Sequence, residues 1–191
     1  MARYTQHPQR GFSLVEVLFA LVVVSVAVSG VAHLFTVAAH TNARARATTY
    51  AAVLAQQKME QLRGLAYGFD PGGGAVTDVD TDITVQPELP GGGAGLQSSP
   101  RGALAANIIG YVDYVDASGA SLGGAAAVPP PGTAYIRRWS VEPLPSAANT
   151  MVLQVLVMRA GHRDAADQRI GQSGRPAEQA RLVSVKTRKA L

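Results

Sequence analysis

Apolar residues are concentrated in one uninterrupted run near the N-terminus. From Phe12 to Ala39 only Glu16 and His33 carry ionisable side chains, and the run is rich in Val, Leu and Ala. A membrane-spanning helix needs about 20 apolar residues at about 1.5 Å of rise per residue, and this run exceeds that length. The pattern therefore predicts a helix that spans a bilayer and contains one carboxylate.

The helical pattern continues beyond this run with a different composition. Neither Pro nor Gly occurs between Val31 and Arg63, and the segment is rich in Ala. Apolar residues recur on one broad face, at Ala47, Tyr50, Ala51, Leu54, Leu62 and Leu65. Gly64 then provides a stop signal, so one helix from about Ser13 to Arg63 is predicted. A coiled-coil stalk is the alternative, but a sustained heptad with charged flanks is missing.

The rest of the chain predicts a head rich in β-structure with many turns. Gly- and Pro-rich stretches separate five predicted strands, at Val76–Val85, Ile108–Val115, Ala134–Val141, Thr150–Met158 and Ala180–Thr187. The segment EPLPSAAN joins the third and fourth of these as an antiparallel pair, and the polar loop Gly161–Glu178 is expected to be exposed. Such a sheet needs an apolar partner, which the second half of the helix supplies. The predicted fold class is α+β.

Composition limits the chemistry that the chain can perform. It has 191 residues, a formal net charge of +4 and no cysteine, so disulfides and thiolate metal sites are excluded. The basic residues are scattered and form no compact block interleaved with aromatics, which makes nucleic acid an unlikely partner. No Ser/His/Asp arrangement, phosphate-binding loop or H-E-x-x-H helix is present, so we expect no enzymatic activity and no cofactor.

Two groups of residues have a metal-binding interpretation that we consider and set aside. Asp78, Asp80 and Asp82 have the D-x-D-x-D spacing of calcium loops, but Ile83 and Leu89 stand where such a loop requires Gly and Glu. We expect three solvated acids on one strand face, and a cation there stays an open question. His33 and His40 lie seven residues apart on one helix face without a third ligand, so an interfacial position is expected.

The first eleven residues have the character of a leader peptide. MARYTQHPQRG carries Arg3 and Arg10 and no acid, and a basic flank of this kind stays on the cytoplasmic side of the membrane. A secretory signal would have an apolar stretch of about 7 to 15 residues before an A-x-A-like site. The small residues at 37–39 imitate such a site, so conventional cleavage there is one alternative.

Cleavage before the apolar run is the other alternative, and here the sequence resembles a known family. RGFSLVEVLFAL is similar to the type III signal of prepilins, the precursors of type IV pilins and type II secretion pseudopilins. The resemblance implies that a prepilin peptidase cuts between Gly11 and Phe12 and methylates Phe12. It also implies an assembly role for Glu16, which would pair with the new amino terminus of a neighbouring subunit. A contact between Glu16 and Phe12 of the same chain, four residues apart, is the alternative. The segment Gln56–Arg63 resembles V-type minor pilins and I-type minor pseudopilins.

The sequence therefore predicts a minor pilin or pseudopilin with a pilin-like fold. Its expected parts are a leader (1–11), a transmembrane and assembly half of the helix (12–40), an amphipathic half (41–66) and a periplasmic head (67–191). Expected partners are prepilin peptidase, other pilin or pseudopilin subunits, the inner-membrane assembly platform and membrane lipid. The expected location is the inner membrane in a single pass and then a filament. The alternative is a DNA-uptake pseudopilin whose basic head binds nucleic acid.

Overall fold

The computed structural model of this protein describes residues 11–160 and 179–190. The leader residues 1–10 and the predicted loop Gly161–Glu178 lie outside the described residues. One helix comes first in the chain, α1 (Leu14–Gly64). The strands are β1 (Tyr67–Phe69), β2 (Ala75–Thr77), β3 (Thr81–Asp82), β4 (Leu89–Gly92), β5 (Val112–Val115), β6 (Ser121–Gly123), β7 (Tyr135–Pro143), β8 (Thr150–Arg159), β9 (Gln179–Thr187) and β10 (Lys189–Ala190). This order confirms the predicted α+β, pilin-like class.

The strands form three sheets. The largest has the order β6-β5-β7-β8-β9 with antiparallel neighbours throughout, and β7, β8 and β9 supply its long strands. A second sheet has the order β10-β1-β2, in which β1 and β10 are parallel. The third sheet contains only β3 and β4. The contacts of the chain divide it into two compact units between Ala43 and Arg44, so α1 contributes to both.

The second half of α1 buries one face, as the sequence pattern predicts. Of the six predicted positions all but Tyr50 are buried, and Tyr50 is half-buried with its ring 5.3 Å from that of Tyr135. Ala55, Lys58 and Met59 extend the same face. Spacings of three and four residues place these side chains together on a helix. They join one apolar cluster with residues of the large sheet.

The large sheet has two faces of different character. Its inner face packs against α1 through alternate residues, namely Tyr135, Trp139, Val141, Leu153, Val155, Val157, Ala180 and Leu182. Side chains alternate between faces along a strand, so the even-numbered residues of β7 and β8 and the odd-numbered residues of β9 form the outer face. Ile136, Leu156 and Met158 are buried there in a second, smaller cluster.

Several strand predictions need correction. The three long strands β7, β8 and β9 lie where the sequence predicts them, but Val76–Val85 is wrong as one strand, because it divides into β2 and β3. Ile108–Val115 is too long, since only Val112–Val115 is extended. The missed strands β1, β4, β6 and β10 have two to four residues each, and so short a segment shows no measurable periodicity.

Basic side chains from the last strands fix the end of α1 and the first hairpin. Lys186 donates hydrogen bonds to the carbonyls of Arg63 (2.6 Å) and Leu65 (2.5 Å), where helical carbonyls have no partner of their own. Arg188 donates to the carbonyls of Gly68 and Val76, and its guanidinium carbon lies 4.2 Å from the ring centre of Tyr67. These contacts attach the C-terminal strands to the start of the head.

Candidate functional site

The predicted processing junction lies immediately before the helix. Gly11, Phe12 and Ser13 are outside regular secondary structure and exposed, with Phe12 82% exposed. The carbonyl of Ser13 accepts hydrogen bonds from the backbone amides of Glu16 (3.0 Å) and Val17 (3.2 Å). The first turn of α1 therefore starts right after the junction, and the Gly11–Phe12 peptide bond stays in an extended, exposed segment.

Glu16 lies in the first turn of α1, and its side chain is exposed. The positive end of the helix dipole is located there, so a carboxylate is favoured at this turn. Within residues 11–160 and 179–190 no cation forms an ion pair with Glu16.

The helix that follows Glu16 is apolar on all sides and exposed. None of residues 11–43 is buried, and the large apolar side chains from Leu14 to Val37 are between 48% and 82% exposed. The best 18-residue window has a mean hydropathy of 2.5, so the helix is long and apolar enough to cross a membrane by length and composition. Such a surface requires lipid or other protein around it.

The hydroxyl groups of Ser25, Ser29 and Thr36 within this segment are satisfied inside the helix. Ser25 and Ser29 donate their hydroxyls to the carbonyls of Leu21 and Ser25, each at 2.8 Å, and Thr36 does the same to Ala32. In hydrocarbon an unpaired hydroxyl is costly, so these internal bonds suit a lipid or subunit environment.

The head contains a buried ionic cluster that the sequence did not lead us to expect. Asp113 on β5 accepts two hydrogen bonds from the guanidinium of Arg137 on β7, at 2.7 and 2.8 Å. Lys58 on α1 places its Nζ 2.8 Å from Asp113 Oδ2, the oxygen that also accepts from Arg137 Nη2. All three side chains are at most 2% exposed. One buried anion thus serves two buried cations from different elements.

Further contacts satisfy the two cations. Lys58 donates to the carbonyl of Ile83 and lies 4.7 Å from the centre of the Trp139 ring, while Arg137 donates to the side-chain oxygen of Gln57 at 3.3 Å. Burial lowers the pKa of Lys58, and the positive charge of Arg137 adds to this, whereas Asp113 acts in the opposite direction. The cluster joins α1 to the large sheet through charges in the core.

Only one signal in the sequence could have revealed this cluster. Lys58 occupies the apolar face of the helix, in step with Ala51, Leu54, Ala55 and Leu62. A lone lysine there is more often a side chain that extends to the surface than a buried charge. Its partners come from strands far along the chain, so sequence spacing alone does not connect them.

Most of the basic residues proposed for a nucleic-acid surface are buried or donate hydrogen bonds within the head. Of Arg137, Arg138, Arg181, Lys186, Arg188 and Lys189, the first two are buried. Arg138 donates to Asn107 and to the carbonyl of Ala105, and Lys186 and Arg188 donate to the backbone as described above. Only Arg181 and Lys189 of this set are exposed, so no observation favours the DNA-uptake alternative.

The carboxylates of the D-x-D-x-D segment do not share one strand face, so that expectation is wrong. Asp78 accepts hydrogen bonds from the backbone amide and hydroxyl of Thr81, and Asp82 accepts the same two bonds from Thr84. Both acids therefore stabilise local turns, the usual role of Asp in such positions. The part of the chain that the structure describes holds no group of three or more His, Cys, Asp or Glu arranged to bind a metal, and His33 and His40 are exposed on α1.

Comparison with known proteins agrees with the N-terminal features. Residues 6–32 match the family model described as the prokaryotic N-terminal methylation motif. No curated protein and no solved structure matches the chain.

The motif and the fold together define a class of protein. A methylation motif at the start of a long apolar helix, followed by small antiparallel sheets, supports a type IV prepilin-like protein. The N-terminal segment is accordingly similar to that of type IV pilin-like proteins. Its apolar helix is consistent with an anchor in the inner membrane.

Removal of Asp113 is expected to be the most damaging change in the buried cluster. Asp113→Asn leaves Lys58 and Arg137 buried without a counter-charge, and loss of one partner of a buried ion pair costs about 3–5 kcal/mol. Urea unfolding of the full chain in detergent, followed through the single Trp139, measures this loss. Lys58→Met keeps the Asp113–Arg137 pair and should destabilise much less. Asp80→Asn, at an exposed acid, is the control, and equal losses in all three variants would contradict this account.

The lowered pKa of Lys58 makes the stability of the head depend on pH. The folded chain releases the Lys58 proton at a lower pH than the unfolded chain, whose value is near 10.5. Between these two pKa values the unfolded state binds more protons, so the contribution of Lys58 to stability rises as the pH increases. The difference in unfolding free energy between the native chain and Lys58→Met should therefore shift in favour of the native chain from neutral pH towards 10. A constant difference would contradict a buried amine.

Proposed function

We propose that this chain is a minor pilin or pseudopilin, a structural subunit of a type IV pilus or a type II secretion pseudopilus. The observation that carries the proposal is Glu16, a single acid in the first turn of α1, five residues after Gly11 and at the start of its exposed apolar half. In this proposal prepilin peptidase cuts between Gly11 and Phe12 and methylates Phe12. The chain then enters a filament without performing chemistry of its own.

The energetics of Glu16 support a role in assembly. A charged side chain costs about 2.5–3.5 kcal/mol at the membrane centre and less near the interface, and such residues usually have a partner. Phe12 lies four residues before Glu16 and two before the start of α1, so a new α-amino group would lie close to the layer of the bilayer that contains Glu16. Pairing of this amino group with Glu16 of a neighbouring subunit neutralises both charges. It also fixes the relative height of the two helices.

The proposed parts of the chain follow from this arrangement. Residues 1–11 are the leader, 12–40 the transmembrane and assembly segment, 41–66 the amphipathic part of the helix, and 67–191 the periplasmic head. The proposed partners are the peptidase, other pilin or pseudopilin subunits, the inner-membrane assembly platform and membrane lipid. Long glycine-rich loops and the absence of cysteine suit a low-copy subunit better than an abundant one.

Processing is the first test of the proposal. Co-expression with a prepilin peptidase should remove residues 1–11 and methylate Phe12, which intact-mass and N-terminal analysis detect. Gly11→Val should block the cut, because a β-branched side chain replaces the glycine at the junction. Gly30→Val, on the same helix at a position with open space around it, is the matched control and should be processed normally. Normal processing of Gly11→Val would overturn the proposed junction.

Incorporation into a filament tests the role of Glu16. Glu16→Leu should leave membrane insertion intact, since it only removes a charge from an apolar helix, and it should strongly reduce the amount of subunit in sheared filaments. Glu60→Leu removes an exposed acid further along the same helix and serves as the control. Filament content equal to that of the native chain would remove the pairing role from the proposal.

A further inference from the structure

Among the described residues, nothing covers the outer face of the large sheet along β9. Val183 and Val185 on β9 are 60% and 58% exposed, and Val152 beside them on β8 is half-buried. Further along the same face Leu156 and Met158 are nearly fully buried in the smaller cluster. The three valines form an apolar area that the described parts of the chain leave uncovered. We refer to Val152, Val183 and Val185 as the valine patch.

Two opposite charges stand at opposite corners of the valine patch. Val185 pairs with Val152 and Val152 pairs with Glu142, so these three form one row across the strands. Arg181 lies on β9 four residues before Val185 and points to the same face. Strand spacings place Glu142 and Arg181 about 10 Å apart across the sheet and about 13 Å apart along it. Both residues are exposed. Arg181 also donates to the side-chain oxygen of Gln154, which pairs with Val183 and lies between the two charges on the same face.

This layout is self-complementary. A two-fold axis in the plane of the contact, midway between the two charges, brings Glu142 of one copy over Arg181 of a second copy, and the reverse. The same rotation sets Val152 against Val183 of the second copy and brings the two Val185 residues close together. An isologous contact of this kind needs a surface whose charges exchange under the two-fold, and this surface has them. We propose that the valine patch is a contact between two copies of this chain.

This contact is small, so its affinity is expected to be low. Five side chains per copy bury far less than the roughly 800 Å² per partner of a standard interface, so isolated heads would pair weakly. Copies held in one membrane meet at a raised effective concentration, which compensates for a small contact. The expected pairing is therefore reversible and seen with the full, anchored chain, and in this respect it rests on the proposed membrane anchorage.

No described strand pairs with the outer edge of β9, so a strand of another protein is a second kind of partner for this region. The experiment must distinguish strand addition from the contact between copies. Arg188 donates its backbone amide to Asn149, and antiparallel pairing alternates, so Arg181, Val183 and Val185 direct their backbone groups away from β8. A strand from another protein adds to such an edge through main-chain hydrogen bonds. That mode depends little on Glu142, which lies two strands away, whereas the contact between copies requires it.

Single cysteines test the proposal cleanly because the chain contains none of its own. Packed sheets lie about 10 Å apart, too far for a disulfide, so a short bismaleimide is the appropriate cross-linker. Full-length Val185→Cys in native membranes should give several-fold more cross-linked dimer than Val128→Cys, which replaces a valine that is 71% exposed elsewhere on the head. Equal yields for the two cysteines would overturn the proposal.

Charge reversal identifies the pairing. In the Val185→Cys background, Glu142→Arg or Arg181→Glu should lower the dimer yield, because like charges then face each other, and the double variant should restore it. Arg101→Glu, an exposed site outside the patch, should have no effect. Yields unaffected by either reversal, as strand addition predicts, would contradict the contact, and so would a double variant that stays low.

The same samples separate this inference from the proposed function. Intact mass reports N-terminal processing of each variant, and Trp139 fluorescence reports folding of its head. Normal processing without cross-linking would refute the contact alone. Cross-linking through Val185→Cys without processing would refute the proposed function and leave the contact supported.

Discussion

The apolar surface of residues 12–39 is the constraint on which the account of this protein depends. Every side chain in that stretch is exposed within the chain itself, and an uninterrupted apolar helix of this length does not persist in water. Its hydroxyls are bonded to its own carbonyls, so the helix is suited to lipid or to other apolar helices. Glu16 is the exception within it, and it has no ion-pair partner among the described residues.

The head differs from this apolar segment because it contains a cluster of charged side chains in its core. Asp113 is shared by Lys58 and Arg137, and the three residues hold the amphipathic part of α1 on the large sheet. Buried ion pairs contribute less to stability than to a specific geometry in several well-studied proteins. Here the cluster fixes which face of the helix meets the sheet.

Much of this could be predicted from the sequence, and the failures have physical causes. Helical periodicity without Pro gave the bounds of α1 to within a residue, and long runs of strand formers gave β7, β8 and β9. The alternation from Val76 to Val85 was misleading. Asp78 and Asp82 accept hydrogen bonds from backbone amides in the turns that follow them, and they do not lie together on one strand face. The Lys58–Asp113–Arg137 cluster could not be predicted, because it joins three elements whose contacts depend on the tertiary fold. The junction at Gly11 and Phe12 stays a prediction, which rests on the local residue types of a short motif.

The central claim is that the charge of Glu16 and the cut after Gly11 act together in assembly. Its most direct test is a measurement of helix association in the membrane. Energy transfer between labelled copies measures this association for the processed chain and for uncut Gly11→Val, each with Glu16 or with Glu16→Gln. Glu16→Gln is expected to weaken association of the processed chain, which has an amino terminus at Phe12. It should have little effect on the uncut chain, which lacks that terminus. An equal effect of Glu16→Gln in both chains would contradict the central claim.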